Sequence, residues 1–303
     1  MSSTQQVLGF APAVSRSWRP PWGGGLRGSE TAWAVAFFLP YVAVFLAFVA
    51  YPIAYGLWLG SDIEFYRGLF NDPRYLTTVG NTLLLAGIGV NVQMFLAFLL
   101  SGFFMRSGRW VKALLVLYML PWALPALPAF LSMHWMFIGY GGFLNSVLEV
   151  LFGVDGPIWF NSYWLAMGAN IFAFIWKWMP FWTLVFIAGR MAIPQDIYDA
   201  AAVDGATGLR RFTYVTFPLL ANLYLVCVLL STLWTIGDFT TAYFVSSGAP
   251  ALFTEVLATY GFRMAFDHGY PGVGVAAVMS ALPVLIPIAI LLMRRLQATE
   301  VQL

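Results

Sequence analysis

The feature that most limits what this chain can become is a set of six apolar stretches, each long enough to cross a bilayer as a helix. A hydrocarbon core about 30 Å thick takes roughly 20 apolar residues in helical form. The stretches run over about 32–59, 77–105, 113–138, 163–188, 217–245 and 272–293. In lipid each backbone N–H and C=O must find its partner inside the protein, which restricts such stretches to helices or closed barrels, and runs this long and continuous read as helices. Composition agrees, since 61% of the 303 residues are hydrophobic and only 9% are charged. Soluble domains carry about 25% charged residues, so a soluble globule of this make-up would lack the polar surface to stay dispersed. The expected fold class is therefore an all-α membrane protein with six transmembrane helices. Prolines inside the stretches (Pro40, Pro52, Pro121, Pro125, Pro128, Pro180, Pro283 and Pro287) predict kinked or broken spans around a pathway.

Basic residues give the orientation. If six spans alternate, eleven of the fifteen Lys and Arg fall on one side: Arg16, Arg19, Arg27, Arg106, Arg109, Lys112, Arg190, Arg210, Arg211, Arg294 and Arg295. The other side holds Arg67, Arg74 and Arg263 among the acids Asp62, Glu64, Asp72, Asp155, Glu255 and Asp267. Both termini are thus expected in the cytoplasm. The organisation follows as a flexible cytoplasmic tail over 1–31, a six-span domain over 32–293 with a cytoplasmic loop at 190–216, and a cytoplasmic tail over 294–303. No signal-peptide pattern precedes Trp33, so the first span is expected to be uncleaved.

Several chemistries find no support. Cys227 is the only cysteine and sits in an apolar run, which suits a small packing residue rather than a disulfide. His134 and His268 are too isolated for a metal site, and no nucleophile and base stand together. A formal net charge of +2 gives no reason to expect a nucleic-acid partner. No catalytic or metal-ligating residue is assigned.

The most informative segment is polar. Residues 190–216 read as two short helices. Pro194 suits a first helical turn, followed by Gln195 and Asp196 where the dipole favours an acid. Tyr198, Asp199, Ala200, Ala201, Ala202 and Val203 make the helical body, and Gly205 fits a left-handed terminus. Thr207 can N-cap a second helix with Arg210 and Arg211, before Phe217 and Pro218 open the fifth span. The small face of Ala200, Ala201, Ala202 and Ala206 admits close approach of another backbone. It suits a docking surface, or else a hairpin lying on the headgroups.

This loop resembles that of the integral subunits of binding-protein-dependent ABC importers. Their Glu-Ala-Ala triplet is matched by Asp199-Ala200-Ala201, their Asp-Gly-Ala by Asp204-Gly205-Ala206, and their closing residue and proline by Phe217-Pro218. Asp199 departs from the usual Glu, keeping the charge on a side chain one methylene shorter. Further similarity lies in Asn81-Thr82-Leu83, Leu120-Pro121-Trp122, Gly142-Phe143-Leu144-Asn145, Trp176-Lys177 with Pro180-Phe181, and Asp238-Phe239 through Tyr243 to Gly248-Ala249-Pro250 and Tyr260. Within the family the sugar permeases are the most similar. The resemblance implies a type I importer permease fold in a bacterial inner membrane, carrying a sugar, polyol or glycerophosphate-type solute. It implies as partners a second homologous permease, two ATPase subunits and a solute-binding protein. This chain has no G-x-x-x-x-G-K-[ST] phosphate loop, so ATP and magnesium belong on the partner ATPase and no cofactor on this chain. The residues implied for ATPase coupling are Tyr198, Asp199, Ala200, Ala201, Asp204, Gly205, Ala206, Thr207, Phe217 and Pro218.

Candidates for the substrate pathway are Lys177, Trp178, Trp234, Asp238, Phe239 and Tyr243. A lysine in a span costs about 2.5–3.5 kcal/mol on insertion scales, so Lys177 should face protein or a wet cavity. It suits either a pathway donor or a structural partner for backbone carbonyls or Asp238. Asp238 suits the outer mouth of the pathway or a plain span-end charge. Trp178, Trp234 and Phe239 could stack on the apolar faces of sugar rings. An ion-coupled secondary transporter is the alternative; that class needs intramembrane ionisable residues for coupling, for which Lys177 and Asp238 are the only candidates, and no inverted repeat is visible. A membrane enzyme, or a purely structural membrane protein, leaves the loop unexplained.

Overall fold

The computed structural model describes residues 29–300. Arg16, Arg19 and Arg27, in the tail assigned to 1–31, lie outside the described residues, as do residues 301–303 at the other terminus. The described residues are helical almost throughout and contain no strand. The chain divides into two units, 1–55 and 56–303.

The first unit is dominated by the apolar helix α1, Trp33–Leu59, which runs to its end and a little past it. A π-helical turn at Leu46–Ala50 interrupts the α-helix. Its large apolar side chains, including Phe37, Phe38 and Phe48, are exposed, as suits a rod facing lipid.

In the second unit, α2 (Ile63–Phe70) precedes the long helix α3 (Pro73–Phe104). Next come α4 (Arg109–Ala123), α5 (Ala126–Phe137) and α6 (Phe143–Phe152). The 29-residue helix α7 (Tyr163–Met191) leads to the short α8 (Gln195–Val203) and the long α9 (Gly208–Ile236). Then α10 (Thr240–Val245), α11 (Leu257–Phe262), α12 (Pro271–Met279) and α13 (Leu282–Glu300) complete it. Five helices in the described residues are long and apolar enough to cross a membrane, and α4 with α5 makes a sixth if the bent pair is one span.

Three expected spans differ in detail. The stretch over 113–138 is broken, with α4 and α5 bent by 97°. Leu124 before Pro125 is extended, since the proline ring bars it from the helical region. The fifth span begins earlier than 217, because the loop's second helix and the span are one helix from Gly208, passing through a π-helical turn at Phe212–Thr216. It also ends earlier, at Ile236, and α10 is a separate helix. Asp238 makes that break, its carboxylate accepting from the backbone N–H of Thr240 (3.0 Å) and Thr241 (3.2 Å). The sixth stretch turns at Ser280 and Ala281, just before Pro283.

Packing centres on α3, α7 and α9. Phe98 on α3 is fully buried and meets Phe186 edge-on at 5.2 Å and Tyr224 at 5.8 Å. Such pairs add about 0.5–1.5 kcal/mol each beyond burial. Because lipid tails are as apolar as leucine, close packing rather than water exclusion must hold the spans together. Gly189 shows how tight it is, for a Cβ there would lie 2.3 Å from the Leu223 side chain on α9.

Candidate functional site

The bent third span explains Lys177. Breaking a helix at Leu124–Pro125 strands the last carbonyls of α4 inside the protein. The Lys177 ammonium, 2% exposed, donates to the carbonyl oxygens of Pro121 (2.8 Å), Trp122 (3.2 Å) and Leu124. A cation there also meets the negative end of the helix dipole. All three ammonium protons are used on backbone, and Lys177 does not line the cleft described next.

That cleft lies between α7 and α9. Phe174, Trp178 and Trp182 are spaced four apart, on one face of α7. Ser231, Trp234, Thr235 and Asp238 come from α9 and its end, and together these residues line a cavity of about 170 Å³. The ring of Trp182 is 5.5 Å from that of Trp234, and Phe181 is 6.1 Å from Trp234. The Thr235 hydroxyl donates to the Ser231 carbonyl at 2.6 Å, which leaves its lone pairs free to accept. Asp238 is held by Thr240 and Thr241, including both their hydroxyls, so its carboxylate has a fixed direction. Aromatic walls, hydroxyl acceptors and a positioned carboxylate suit a polyhydroxylated ring, stacking on its apolar faces and accepting from its hydroxyls.

Of the six pathway candidates, the structure brings Trp178, Trp234 and Asp238 together here. Phe239 and Tyr243 belong to a neighbouring aromatic group. They stack at 4.5 Å, with Phe262 4.8 Å from Phe239 and the Arg263 guanidinium 5.3 Å over Tyr243. Phe174, Trp182, Ser231 and Thr235 are cleft residues the sequence reading passed over. Their four-residue spacing from Trp178 and from each other was the available signal.

The second region is the loop at 190–216. Pro194 stands one position before α8 rather than in its first turn. The residue after α8 closes as expected: Gly205 is left-handed at φ 76°, and the Ala206 N–H donates to the Ala201 carbonyl at 2.8 Å. Thr207 sits at the N-cap position of the next helix, but its side chain makes no capping bond. Asp199 is exposed and accepts from Gln195 Nε2 at 3.1 Å. Ala201 alone of the small face is buried, and Ala200, Ala202, Asp204 and Pro218 are exposed. Val203 and Leu209 are 88% and 76% exposed, an apolar pair standing out of a polar loop.

At the other end of α9, residues 246–256 form a compact loop. Asn81 on α3 donates to the carbonyls of Phe253 and Glu255, both at 2.7 Å, and accepts from Tyr163 at 2.7 Å. Thr82 accepts from the Leu257 N–H at 2.8 Å. Glu255 is 1% exposed, 2.7 Å from Arg263 Nε and 3.6 Å from Arg74. Both arginines favour the charged carboxylate, yet it is almost wholly removed from water. Burial therefore outweighs both arginines and raises the Glu255 pKa above its ordinary value. Asn145 plays a similar anchoring part, donating to the carbonyls of Gly139 and Pro157 and accepting from Trp159.

Comparison with known proteins bears on both regions. A family described as "Binding-protein-dependent transport system inner membrane component" matches residues 93–298. The sulfoquinovosyl glycerol transport system permease protein SmoG of Agrobacterium fabrum is 34% identical over 282 residues, covering 87% of this chain and 90% of that protein. The trehalose/maltose transport system permease protein MalF of Thermococcus litoralis is 30% identical over 266 residues, 83% and 89% of the two. A chain of a bacterial alginate ABC transporter, crystallised with an alginate pentasaccharide-bound periplasmic protein, superposes with a TM-score of 0.75 over 88% of this chain and 95% of that one. At 21% identity that likeness establishes the fold.

Proposed function

The chain belongs to the family of binding-protein-dependent transport system inner membrane components, and from that premise we propose that it is the permease subunit of an ATP-driven importer for a sugar or related polyol. The aromatic cleft between α7 and α9 is the observation that carries the solute class. Among the described residues that line it, Asp238 alone is charged, which favours a neutral polyhydroxylated solute over an anionic one of the glycerophosphate type. The solutes named for the relatives support the sugar class but not its charge, since sulfoquinovosyl glycerol carries a sulfonate while trehalose and maltose are neutral.

At about 170 Å³ the cleft is small, against roughly 300–1,000 Å³ for typical ligand sites. This chain would then supply one wall of the pathway and a second, homologous permease the other. Hydrolysis of ATP falls to separate subunits, docking on the loop at 190–216 through Asp199, the small face of α8 and the exposed Val203 and Leu209. Because the loop's second helix is continuous with α9, movement of the docked subunit passes directly to the cleft residues Ser231, Trp234 and Thr235. Placing this loop and both termini in the cytoplasm follows from the distribution of Lys and Arg. A solute-binding protein would deliver the solute at the opposite end.

Affinity purification of the tagged chain in mild detergent tests the assembly. Recovery of an ATPase, a second permease and a solute-binding protein is the expected result, and the binding protein's ligand then names the solute. Transport by this chain alone in liposomes without ATP would refute the reading and support an ion-coupled transporter. Trp234→Ala should cut import about tenfold, with ATPase assembly unchanged; wild-type import would remove the cleft from the pathway.

A further inference from the structure

We propose that the groove enclosed between the loop at 190–216 and the ends of the spans is a binding site for a phosphate group, carried by a lipid headgroup or by a free phosphate ester. The cavity has a volume of about 270 Å³, and both Arg190 and Arg211 line it. Arg190 comes from the last turn of α7. Its Nε donates to Ser101 Oγ at 2.7 Å, its Nη2 to the Phe98 carbonyl at 3.1 Å, and its guanidinium lies 4.7 Å over the Phe98 ring. Those bonds take two of the five guanidinium N–H groups and leave the others for the cavity. Gly102 lies beside it, where a Cβ would come into ordinary van der Waals contact with the guanidinium at 3.5 Å.

Arg211 approaches from the loop, its guanidinium 5.7 Å over the Tyr198 ring. Among the described residues no carboxylate lies within ion-pair distance of either arginine. The acids of the loop, Asp196, Asp199 and Asp204, are exposed and line no part of this cavity. Two guanidiniums facing one partly enclosed space repel each other, and an anion between them reverses the sign of that interaction. A phosphate has several acceptor oxygens, which match two forked donors better than a single carboxylate does. The Tyr198 and Gln195 side chains also line the groove and add donors to the same space.

Position separates this site from the docking face. The groove lies on the span side of α8, where Met105 and Phe212 form apolar parts of its wall. Val203, Leu209 and Asp199 are exposed and stand outside it. A phosphate held by both arginines would tie the loop to α7 and stiffen the connection through which the loop moves α9.

The test uses the full chain in mild detergent, with dihexanoyl phosphatidate, glycerol 3-phosphate and uncharged dioctanoylglycerol as probes, followed by thermal shift and native mass spectrometry. The two phosphates should bind and stabilise while dioctanoylglycerol does not, and raised salt should weaken binding. Tighter binding of phosphatidate identifies a headgroup as the source, and equal binding a free ester. Arg190→Gln also removes bonds to Ser101 and Phe98, so the exposed Arg211→Gln carries the test and should weaken phosphate binding at least tenfold. Equal binding of dioctanoylglycerol, or unchanged phosphate binding in Arg211→Gln, would overturn the site. So would a variant that keeps phosphate binding but loses a docked subunit, for the groove would then seat a partner's carboxylate. Binding is read without transport, so failure here leaves the importer reading standing.

Discussion

The loop at 190–216 and the loop at 246–256 lie at opposite ends of α9, and they hold their shape by different means. The first is built from local rules: a short helix, a left-handed glycine at Gly205 and a second helix that runs straight into the span. It leaves Asp199, Val203 and Leu209 exposed. The second breaks local rules. Ser247, Ala251 and Leu252 are all left-handed without being glycine, at φ 53°, 46° and 68°. Each such residue costs on the order of 1–3 kcal/mol and survives only where its surroundings over-determine it. Here those surroundings come from far away in sequence. Asn81 and Thr82 on α3 bind its backbone, and Asn170 on α7 donates to Ser246 Oγ at 2.9 Å. One loop stands exposed, as the proposed docking role requires, and the other is clamped to the spans.

The sharpest way to break that contrast is to cut the clamp. Asn81→Ala removes three hydrogen bonds, one buried and two half-buried, and strands two carbonyls, at about 1 kcal/mol per bond with a further penalty for each orphaned group. A loss of about 3–5 kcal/mol is expected on that basis, read as a large drop in melting temperature in detergent together with loss of import. A melting temperature within a degree or so of wild type would mean the loop holds itself. Asp199→Lys should do the reverse, reducing import tenfold or more while insertion and melting temperature stay as in wild type. Unchanged import with normal ATPase assembly would remove Asp199 from the coupling surface.

A smaller effect separates the loops by pH. Glu255 has a folded pKa above its unfolded value, so the folded state holds its proton more tightly. Stability from this group is then present at low pH and falls as pH rises from the ordinary glutamate value through the raised one. Glu255→Gln keeps the neutral form at every pH and should flatten that slope, which melting curves between pH 4 and about 7 would show. A slope unchanged in the variant would mean that another group titrates there.

What could be read from the sequence follows the same divide. The six apolar stretches, the left-handed Gly205 and the short helix before it rest on spacing within a few residues, and all have direct sequence signals. The bend at Leu124–Pro125 was announced by its prolines, but what holds it was not: Lys177 reaches back more than fifty residues to carbonyls that carry no side-chain signature. Asn81 could be picked out as a motif, yet its partners in 253–255 become visible only when α3 and the far loop meet. The cleft lay between these extremes. Phe174, Trp178 and Trp182 mark one face of α7 by spacing alone, but in a chain with 13 tryptophans and 27 phenylalanines such a face is not distinctive until α9 supplies the opposite wall.

The smallest expected effect tests how far local rules govern even the loop they build. Thr207 occupies an N-cap position, where replacement by alanine ordinarily costs about 1 kcal/mol. Its hydroxyl makes no capping bond, however, and the helix that starts at Gly208 gains its hold by continuing into the 29-residue α9. A helix so long and so well packed loses little from one unsatisfied end at an exposed position. Thr207→Ala should therefore change stability by less than about 0.5 kcal/mol, the range of ordinary surface substitutions. A loss near the full value of a cap would show that the hydroxyl closes on the helix in solution. Import is the more telling readout, because the exposed Thr207 lies on the loop beside Ala206. Reduced import with unchanged stability would extend the docking surface across the junction between α8 and α9, whereas no change in either would confine it to α8 and the apolar pair Val203 and Leu209.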